Sequence, residues 1–293
     1  MEVDPSILSV AAHFRFSAPA FSRGRRQGDR RGRATGQGQE FADFRPYHPG
    51  DDLRRVDWNA YQRLDSVLLR LSHEDRDQRI LLAVDATGSM RVDRKADYAA
   101  TLTAGLALSG LLARDHVSLG LLCEQPQLHT VGDVRSFPAL RHAIEHAQPG
   151  GQAPLGEHLL RWSGGRRFDR ALLLSDLLVE PREAEQTLSA LATISDHPTV
   201  LHVLAPADIS PVLNGSLELE DAETGERVRI EANSEIQAAY QQAYTRWEDG
   251  LQRLCRRYNI TRVLAPTSRA VGEVMTKALP RIGVLTMKEG GGR

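Results

Sequence analysis

Asp85, Thr87 and Ser89 stand at alternate positions directly after an apolar run of five residues, 80–84. The run is short and apolar throughout, which is typical of a strand buried on both faces. It is followed by one carboxylate and two hydroxyls on a loop that contains a glycine. Oxygen ligands of this kind suit magnesium and other hard divalent cations. The spacing therefore predicts a cation site at the end of this strand.

A second carboxylate follows another apolar run. Residues 170–175 include three consecutive leucines and predict a second buried strand, which is followed by Asp176. In open α/β sheets, ligands bind beyond the carboxyl ends of the strands. We therefore expect Asp176 to approach Asp85. A purely structural interpretation stays open, in which both carboxylates cap a following helix or accept loop N–H bonds.

The rest of the sequence predicts the elements that must position these side chains. Strands are predicted at 66–72, 80–85, 116–123, 127–131, 170–175, 199–204, 216–220, 226–231 and 261–264. Helices are predicted at 95–114, 136–147, 155–162, 181–194, 234–258 and 269–278, with Ser234 and Gln237 as a capping box. The alternation predicts an α/β fold with a mostly parallel sheet and helices on both faces.

Composition excludes several classes of protein. The chain has 293 residues with 37 basic and 38 acidic side chains, so its overall charge favours neither nucleic acid nor a membrane surface. Its two cysteines, Cys123 and Cys255, have no zinc or redox spacing. The most apolar stretch, residues 102–113, is too short to span a bilayer, and the first residues lack a secretory signal. We expect a cytoplasmic protein without membrane insertion.

Four segments are expected along the chain. Residues 1–37 read as a flexible Arg/Gly-rich segment, 38–78 as a segment packed on the core, 79–282 as the main domain and 283–293 as a loose tail. The arginines at 23–33 could bind phosphates. They lack interleaved aromatic residues for base stacking, however. We favour a solvated loop there and do not expect a nucleic-acid partner.

Two groups of residues together resemble a known family. The segments GQEF, RPYHPGDDLR and DW, between residues 38 and 58, are similar to the signature of the "domain of unknown function 58" family. Members of that family carry a von Willebrand factor type A-like domain. The motif Asp85-x-Thr87-x-Ser89, with Asp176 on a later loop, resembles the metal-ion-dependent adhesion site of such domains. The resemblance implies that these four residues bind a divalent cation.

The resemblance also implies a function. In an adhesion site, few anionic ligands contact the ion, so that an open position can accept a carboxylate from a partner protein. Members of the family are often encoded beside MoxR-type AAA+ ATPases and are thought to act with them. We therefore expect a non-enzymatic interaction module, an adaptor or chaperone-like partner of such an ATPase, which docks through Mg²⁺ or another divalent cation.

One loop departs from the family pattern. The family usually has Gly-Gly-Thr-Asp-Leu there, whereas residues 150–155 read GGQAPL. Ala153, or Gln152, stands at the position of the Thr, and Pro154 replaces the Asp. Because alanine has no oxygen ligand on its side chain, a weakened cation site and a vestigial one both stay open.

The family signature itself has two interpretations. Its charged and aromatic residues could form a docking surface, or an ion-pair network that holds a turn against the sheet. We favour the structural interpretation. The residues concerned are Asp51, Asp52, Arg54, Asp57 and Trp58.

Two other functions remain as alternatives. One is a metal-dependent hydrolase or phosphotransferase that uses Asp85 and Asp176. Against it, the sequence has no phosphate-binding loop of the Walker type, no Gly-x-Ser-x-Gly elbow and no His-Glu-x-x-His motif. The other is a purely structural assembly protein with a vestigial metal site.

Overall fold

A six-stranded sheet forms the centre of the computed structural model, which describes residues 1–17, 41–46, 68–72 and 77–288, the second and third ranges by their backbone alone. From edge to edge its strands are Thr261–Pro266 (β11), Ser195–Leu204 (β8), Phe168–Ser175 (β7), Arg79–Asp85 (β4), His116–Leu122 (β5) and Gln127–Val131 (β6). β6 is antiparallel to β5, and all other neighbours are parallel. The prediction of a mostly parallel α/β sheet is confirmed.

Helices cover both faces of this sheet, and each predicted helix is present with its ends shifted by a few residues at most. The helices are Ser6–Ala11, Lys95–Leu112, Phe137–His146, Leu155–Ser163, Pro181–Ile194, Pro206–Ile209 and Ser234–Arg257, followed by a continuous helical stretch of Val271–Glu273, Val274–Ala278 and Leu279–Arg281. Short 3-10 turns lie at Gly88–Arg94 and Val134–Ser136. Within the described residues, no helix combines the length and the apolar character that crossing a membrane requires.

The central strand β4 contributes to two hydrophobic cores. Successive side chains of a strand point to opposite faces of its sheet. Ile80, Leu82 and Val84 pack into the core beneath the Lys95–Leu112 helix. Leu81 and Ala83 pack into the core on the other face. All five are fully buried, which explains why the run is apolar throughout rather than alternating.

The first 17 residues differ from the expectation of a flexible segment. They form the Ser6–Ala11 helix and a short strand, Phe14–Phe16 (β1), which pairs antiparallel with Leu285–Met287 (β12) near the other end of the chain. Ile7, Phe14 and Phe16 are buried in the same core as Leu82. These short elements are stabilised by contacts with residues that are distant in the sequence. The local sequence therefore does not predict them.

Two antiparallel hairpins lie outside the central sheet. Gly215–Glu220 (β9) pairs with Arg227–Ala232 (β10), and both strands lie within one residue of their predicted bounds. Phe41–Pro46 (β2), which the sequence did not predict as a strand, pairs with Leu68–Ser72 (β3). Backbone contacts divide the chain into one unit of Met1–Ser17 and Asp77–Arg293 and a second unit of Ala18–Arg76, which contains β2 and β3.

The N-cap of the longest helix lies one residue earlier than the predicted cap, Ser234. The side chain of Asn233 accepts hydrogen bonds from the backbone N–H groups of Glu235 and Ile236, both at 3.0 Å. Asn233 is therefore the N-cap, and the predicted capping box of Ser234 and Gln237 is wrong. The Gln237 side chain instead accepts a hydrogen bond from the backbone N–H of Leu213. Asparagine is among the strongest N-cap residues, which accounts for the shift.

Candidate cation site

Asp85 and Asp176 lie at the same edge of the sheet. β4 ends at Asp85 and β7 ends at Ser175, and these neighbouring strands run parallel, with Val84 opposite Leu174. Both carboxylates are buried, with 1% and 0% of their residue surfaces exposed. The sheet therefore brings together the two acidic residues that the sequence singled out.

The four predicted site residues form one continuous chain of oxygen atoms. Asp85 Oδ1 accepts hydrogen bonds from the backbone N–H of Thr87 at 3.0 Å and from its hydroxyl at 2.7 Å. Thr87 Oγ1 lies 3.3 Å from Ser89 Oγ. Ser89 Oγ donates to Asp176 Oδ1, also at 3.3 Å. Thr87 is buried and Ser89 is half-buried, so that the chain of oxygens opens towards solvent at Ser89.

Asp85 is held entirely by neighbouring hydroxyl and backbone groups. Besides the bonds from Thr87, its Oδ2 accepts a hydrogen bond from the Ser175 hydroxyl at 2.5 Å. Burial, followed by the negative charge of Asp176, raises the pKa of Asp85 to about 7, although the bonds from Ser175 and Thr87 lower it in part. The negative charges of Asp85 and Asp176 therefore disfavour one another at this strand end. A positive charge placed beside them is electrostatically favourable.

A buried lysine supplies positive charge at this edge of the sheet. Lys95 is 1% exposed, and its Nζ lies 2.7 Å from Asp176 Oδ2 and 3.0 Å from Asp208 Oδ2. Burial alone would lower the pKa of Lys95, but the charges and hydrogen bonds of Asp176 and Asp208 raise it above its ordinary value. Asp176 is thus shared: Oδ2 faces the ammonium and Oδ1 faces the hydroxyl of Ser89.

Sequence reasoning missed Lys95 and Asp208. A lysine at the start of a helix normally points into water, and Asp208 lies on a short helix that the sequence did not predict. One signal was available, however. The helix predicted at 95–114 is apolar over much of its circumference, which indicates burial, and lysine is almost never fully buried unless it is paired.

His202 supports the backbone at Asp176. Its Nε2 donates to the carbonyl oxygen of Asp176 at 2.8 Å, and its Nδ1 accepts from Nε of Arg262 at 3.1 Å. Burial, and next the positive charge of Arg262, lower the pKa of His202 to about 3. Arg262 is in turn paired with Glu248 at 2.6 Å. A neutral histidine therefore fixes the loop that carries Asp176, and the scattered histidines of the sequence gave no sign of it.

The third loop approaches the site but offers no side-chain oxygen to it. The backbone N–H of Gly88 donates to the carbonyl of Gly151 at 2.9 Å. Ala153, at the position of the family threonine, is buried with an apolar side chain. Gln152 is exposed, and its side chain acts to lower the pKa of Glu223. The third loop therefore brings no threonine hydroxyl to the site, as its sequence already indicates.

The spacing of the oxygen atoms fits a hard divalent cation. Two ligands at right angles around an ion 2.1–2.4 Å away lie about 3.0–3.4 Å apart. Thr87 Oγ1 and Ser89 Oγ meet this spacing, as do Ser89 Oγ and Asp176 Oδ1. In the described part of the chain, no three His, Cys, Asp or Glu side chains converge as a metal cluster. The residues present therefore fit an oxygen-liganded ion that has few charged ligands.

The charged signature residues cannot be placed relative to this site. Asp51, Asp52, Arg54, Asp57 and Trp58 lie outside the described residues, and so do the arginines at 23–33. Their proposed roles stay predictions.

Comparison with known proteins identifies relatives over most of the chain. The family profile described as "Protein of unknown function DUF58" matches residues 43–249. An uncharacterised protein of Mycobacterium tuberculosis, Rv1480, is 26% identical over 235 residues, which cover 76% of this chain and 73% of the relative. An uncharacterised protein of Mycobacterium bovis, Mb1516, matches to the same extent.

Solved structures show a weaker likeness. The conserved hypothetical protein BatB from Bacteroides thetaiotaomicron is 13% identical with a TM-score of 0.43, covering 69% of this chain and 97% of that structure. The VWA domain of SpRpn10 is 11% identical with a TM-score of 0.38, covering 70% of this chain and 96% of that domain. Both likenesses concern the fold alone.

Proposed function

The chain belongs to the DUF58 family of proteins of unknown function, and from this membership we propose that it is a non-enzymatic interaction module. In this proposal it docks an acidic segment of a partner protein through a divalent cation, Mg²⁺ or a similar ion. One observation carries the proposal. Thr87, Ser89 and Asp176 present three oxygen atoms in series, each 3.3 Å from the next, where two strands end.

The chemistry of these ligands suits docking. Two of the three oxygens belong to neutral hydroxyls, and the negative charge of Asp176 is already balanced in part by Lys95. An ion held by such ligands keeps most of its positive charge. A carboxylate from a partner would then complete its coordination, because hard divalent cations prefer oxygen ligands. Ser89 is the half-buried member of the row, so a partner would approach from its side.

We further propose that the partner is a MoxR-type AAA+ ATPase and that the protein is its adaptor or chaperone-like companion. The support is the family resemblance of the sequence. The test is co-purification of the tagged protein with such an ATPase, with and without Mg²⁺. Recovery should depend on the ion and should be lost in Thr87→Ala. Failure to recover any ATPase in either condition would reject this partner.

Cation binding can be tested separately by thermal denaturation. At a Mn²⁺ concentration about ten times its Kd, binding stabilises the folded state by about 1.4 kcal/mol, or about 3 °C in a domain of this size. Thr87→Ala and Ser89→Ala should abolish this rise. The control is Thr245→Ala, which removes an exposed hydroxyl that hydrogen-bonds only within its own helix. This variant should keep the cation-induced rise in melting temperature. A wild-type melting curve that Mg²⁺ and Mn²⁺ leave unchanged would refute docking through a cation.

For the alternative of a metal-dependent hydrolase or phosphotransferase that uses Asp85 and Asp176, the geometry gives no support to Asp85 as general acid or base. A general acid or base must reach the proton that it transfers. Asp85 is 1% exposed, and both of its carboxylate oxygens are engaged by Thr87 and Ser175. Although its pKa of about 7 would suit proton transfer, no substrate atom could approach it in this arrangement.

A further inference from the structure

The tip of the β9–β10 hairpin lies directly on the loop of the candidate site. Gly88 stands between Thr87 and Ser89. A Cβ atom at this position would be 2.2 Å from the carbonyl oxygen of Ala222 and 3.0 Å from Cα of Glu223. Only a glycine allows such close approach of two backbones. The hairpin therefore covers the stretch of loop that carries the two hydroxyls.

The tip is an ordered turn, which holds Glu223 in a defined place. Asp221 Oδ1 accepts hydrogen bonds from the backbone N–H groups of Glu223 at 2.9 Å and Thr224 at 2.7 Å. The N–H of Gly225 donates to the carbonyl of Asp221 at 2.8 Å. Gly225 has a φ of +74°, which glycine adopts without strain. These hydrogen bonds within the turn therefore fix the backbone at Glu223.

Glu223 is the least exposed residue of this tip. Asp221, Ala222, Thr224 and Gly225 are exposed, whereas Glu223 is half-buried. Burial raises the pKa of Glu223, the negative charges of Asp176 and Asp221 raise it further, and the side chain of Gln152 lowers it in part. An acidic side chain of the protein itself therefore lies close enough to the site for the charge of Asp176 to act on it.

We propose that Glu223 is an intramolecular ligand of the cation site, so that an acidic segment of a partner must displace the hairpin tip in order to dock. This inference rests on the proposed function. A partner would offer the ion a carboxylate, and Glu223 is a carboxylate already held over the same loop.

Hydrogen exchange with and without Mn²⁺ tests this inference on the full chain. Two regions report on two different events: residues 85–90 on ion binding, and residues 215–232 on engagement of the hairpin. Wild type, Thr87→Ala and Glu223→Gln are compared. Glu226→Gln is the matched control, because Glu226 lies at the end of the same turn with an exposed side chain.

In wild type and in Glu226→Gln we expect Mn²⁺ to slow exchange in both regions. In Glu223→Gln, Mn²⁺ should still slow exchange in residues 85–90 but not in the hairpin, and Mn²⁺ should bind about tenfold more weakly, as expected when a group that supports a metal site is lost. Thr87→Ala should show neither effect.

The two proposals fail in different ways. If Mn²⁺ changes neither region in wild type, the cation site itself is refuted. If Mn²⁺ protects residues 85–90 but leaves the hairpin unchanged, or protects the hairpin equally in Glu223→Gln, the site stands and the role of Glu223 is refuted.

Discussion

Replacing Lys95 by methionine tests whether the buried ammonium holds the site together. Methionine keeps the length and apolar stem of lysine but removes the charge that lies 2.7 Å from Asp176 and 3.0 Å from Asp208. Removing one partner of a buried ion pair costs about 3–5 kcal/mol, because the other charge is left uncompensated. The cost should reach the upper part of that range, since two carboxylates share this one ammonium. In a domain of this size the melting temperature should fall by about 10 °C.

The assay is urea denaturation of Lys95→Met beside Lys277→Met. Lys277 also pairs with a carboxylate, Glu273, but its side chain is 73% exposed, so its loss should cost less than about 1 kcal/mol. The double variant Lys95→Met/Asp208→Asn should recover part of the loss, because it removes one of the two stranded carboxylates. An equal loss in Lys95→Met and Lys277→Met would show that the ammonium does not stabilise the site and would refute the reasoning.

Three further predictions concern other parts of the structure. Asn233→Ala should destabilise the protein by about 0.5–2 kcal/mol in urea unfolding, whereas Ser234→Ala should be nearly neutral; the reverse order would contradict the observed cap. Burial raises the pKa of Asp115 to about 7, so the folded state binds this proton more tightly than the unfolded state does. The free energy of unfolding should therefore fall as pH rises from about 4 to 7. Asp115→Asn should flatten this fall in unfolding curves measured across that range, and an unchanged dependence on pH would contradict the prediction. Gly88→Ala should speed hydrogen exchange in residues 215–232 even without a cation, because the added methyl collides with Ala222; unchanged exchange there would show that the tip is not packed as described.

Local pattern was enough to predict most of the fold. The apolar runs of β4 and β7 are continuous because both faces of those strands are buried. A continuous apolar run can be recognised without knowledge of any other part of the chain. The Pro181–Ile194 helix matches its predicted ends because proline suits the first turn of a helix. The position of Asp176 followed from the same logic, since neighbouring parallel strands end at one edge of a sheet.

The interactions that sequence could not reveal are those between distant residues. Lys95 and Asp208 are separated by 113 positions, and no local pattern links them. The burial of Phe14 likewise depends on a strand near residue 286, so a three-residue strand looked like part of a flexible lead. Glu223 lies between two predicted strands in the sequence, and nothing there links it to Gly88, which it approaches only in the folded chain.

Arg170 links Ser17 and Gln78, two residues of the first unit that flank positions 18–76 in the sequence. Its guanidinium donates to the carbonyl of Ser17 at 2.8 Å and to the side chain of Gln78 at 3.3 Å, while the N–H of Gln78 is held by Asp115 at 2.9 Å. The chain thus leaves the sheet-containing unit and returns to it at a single anchor. Excision of residues 18–76, with a short glycine linker in their place, should therefore leave the remaining sheet able to fold on its own.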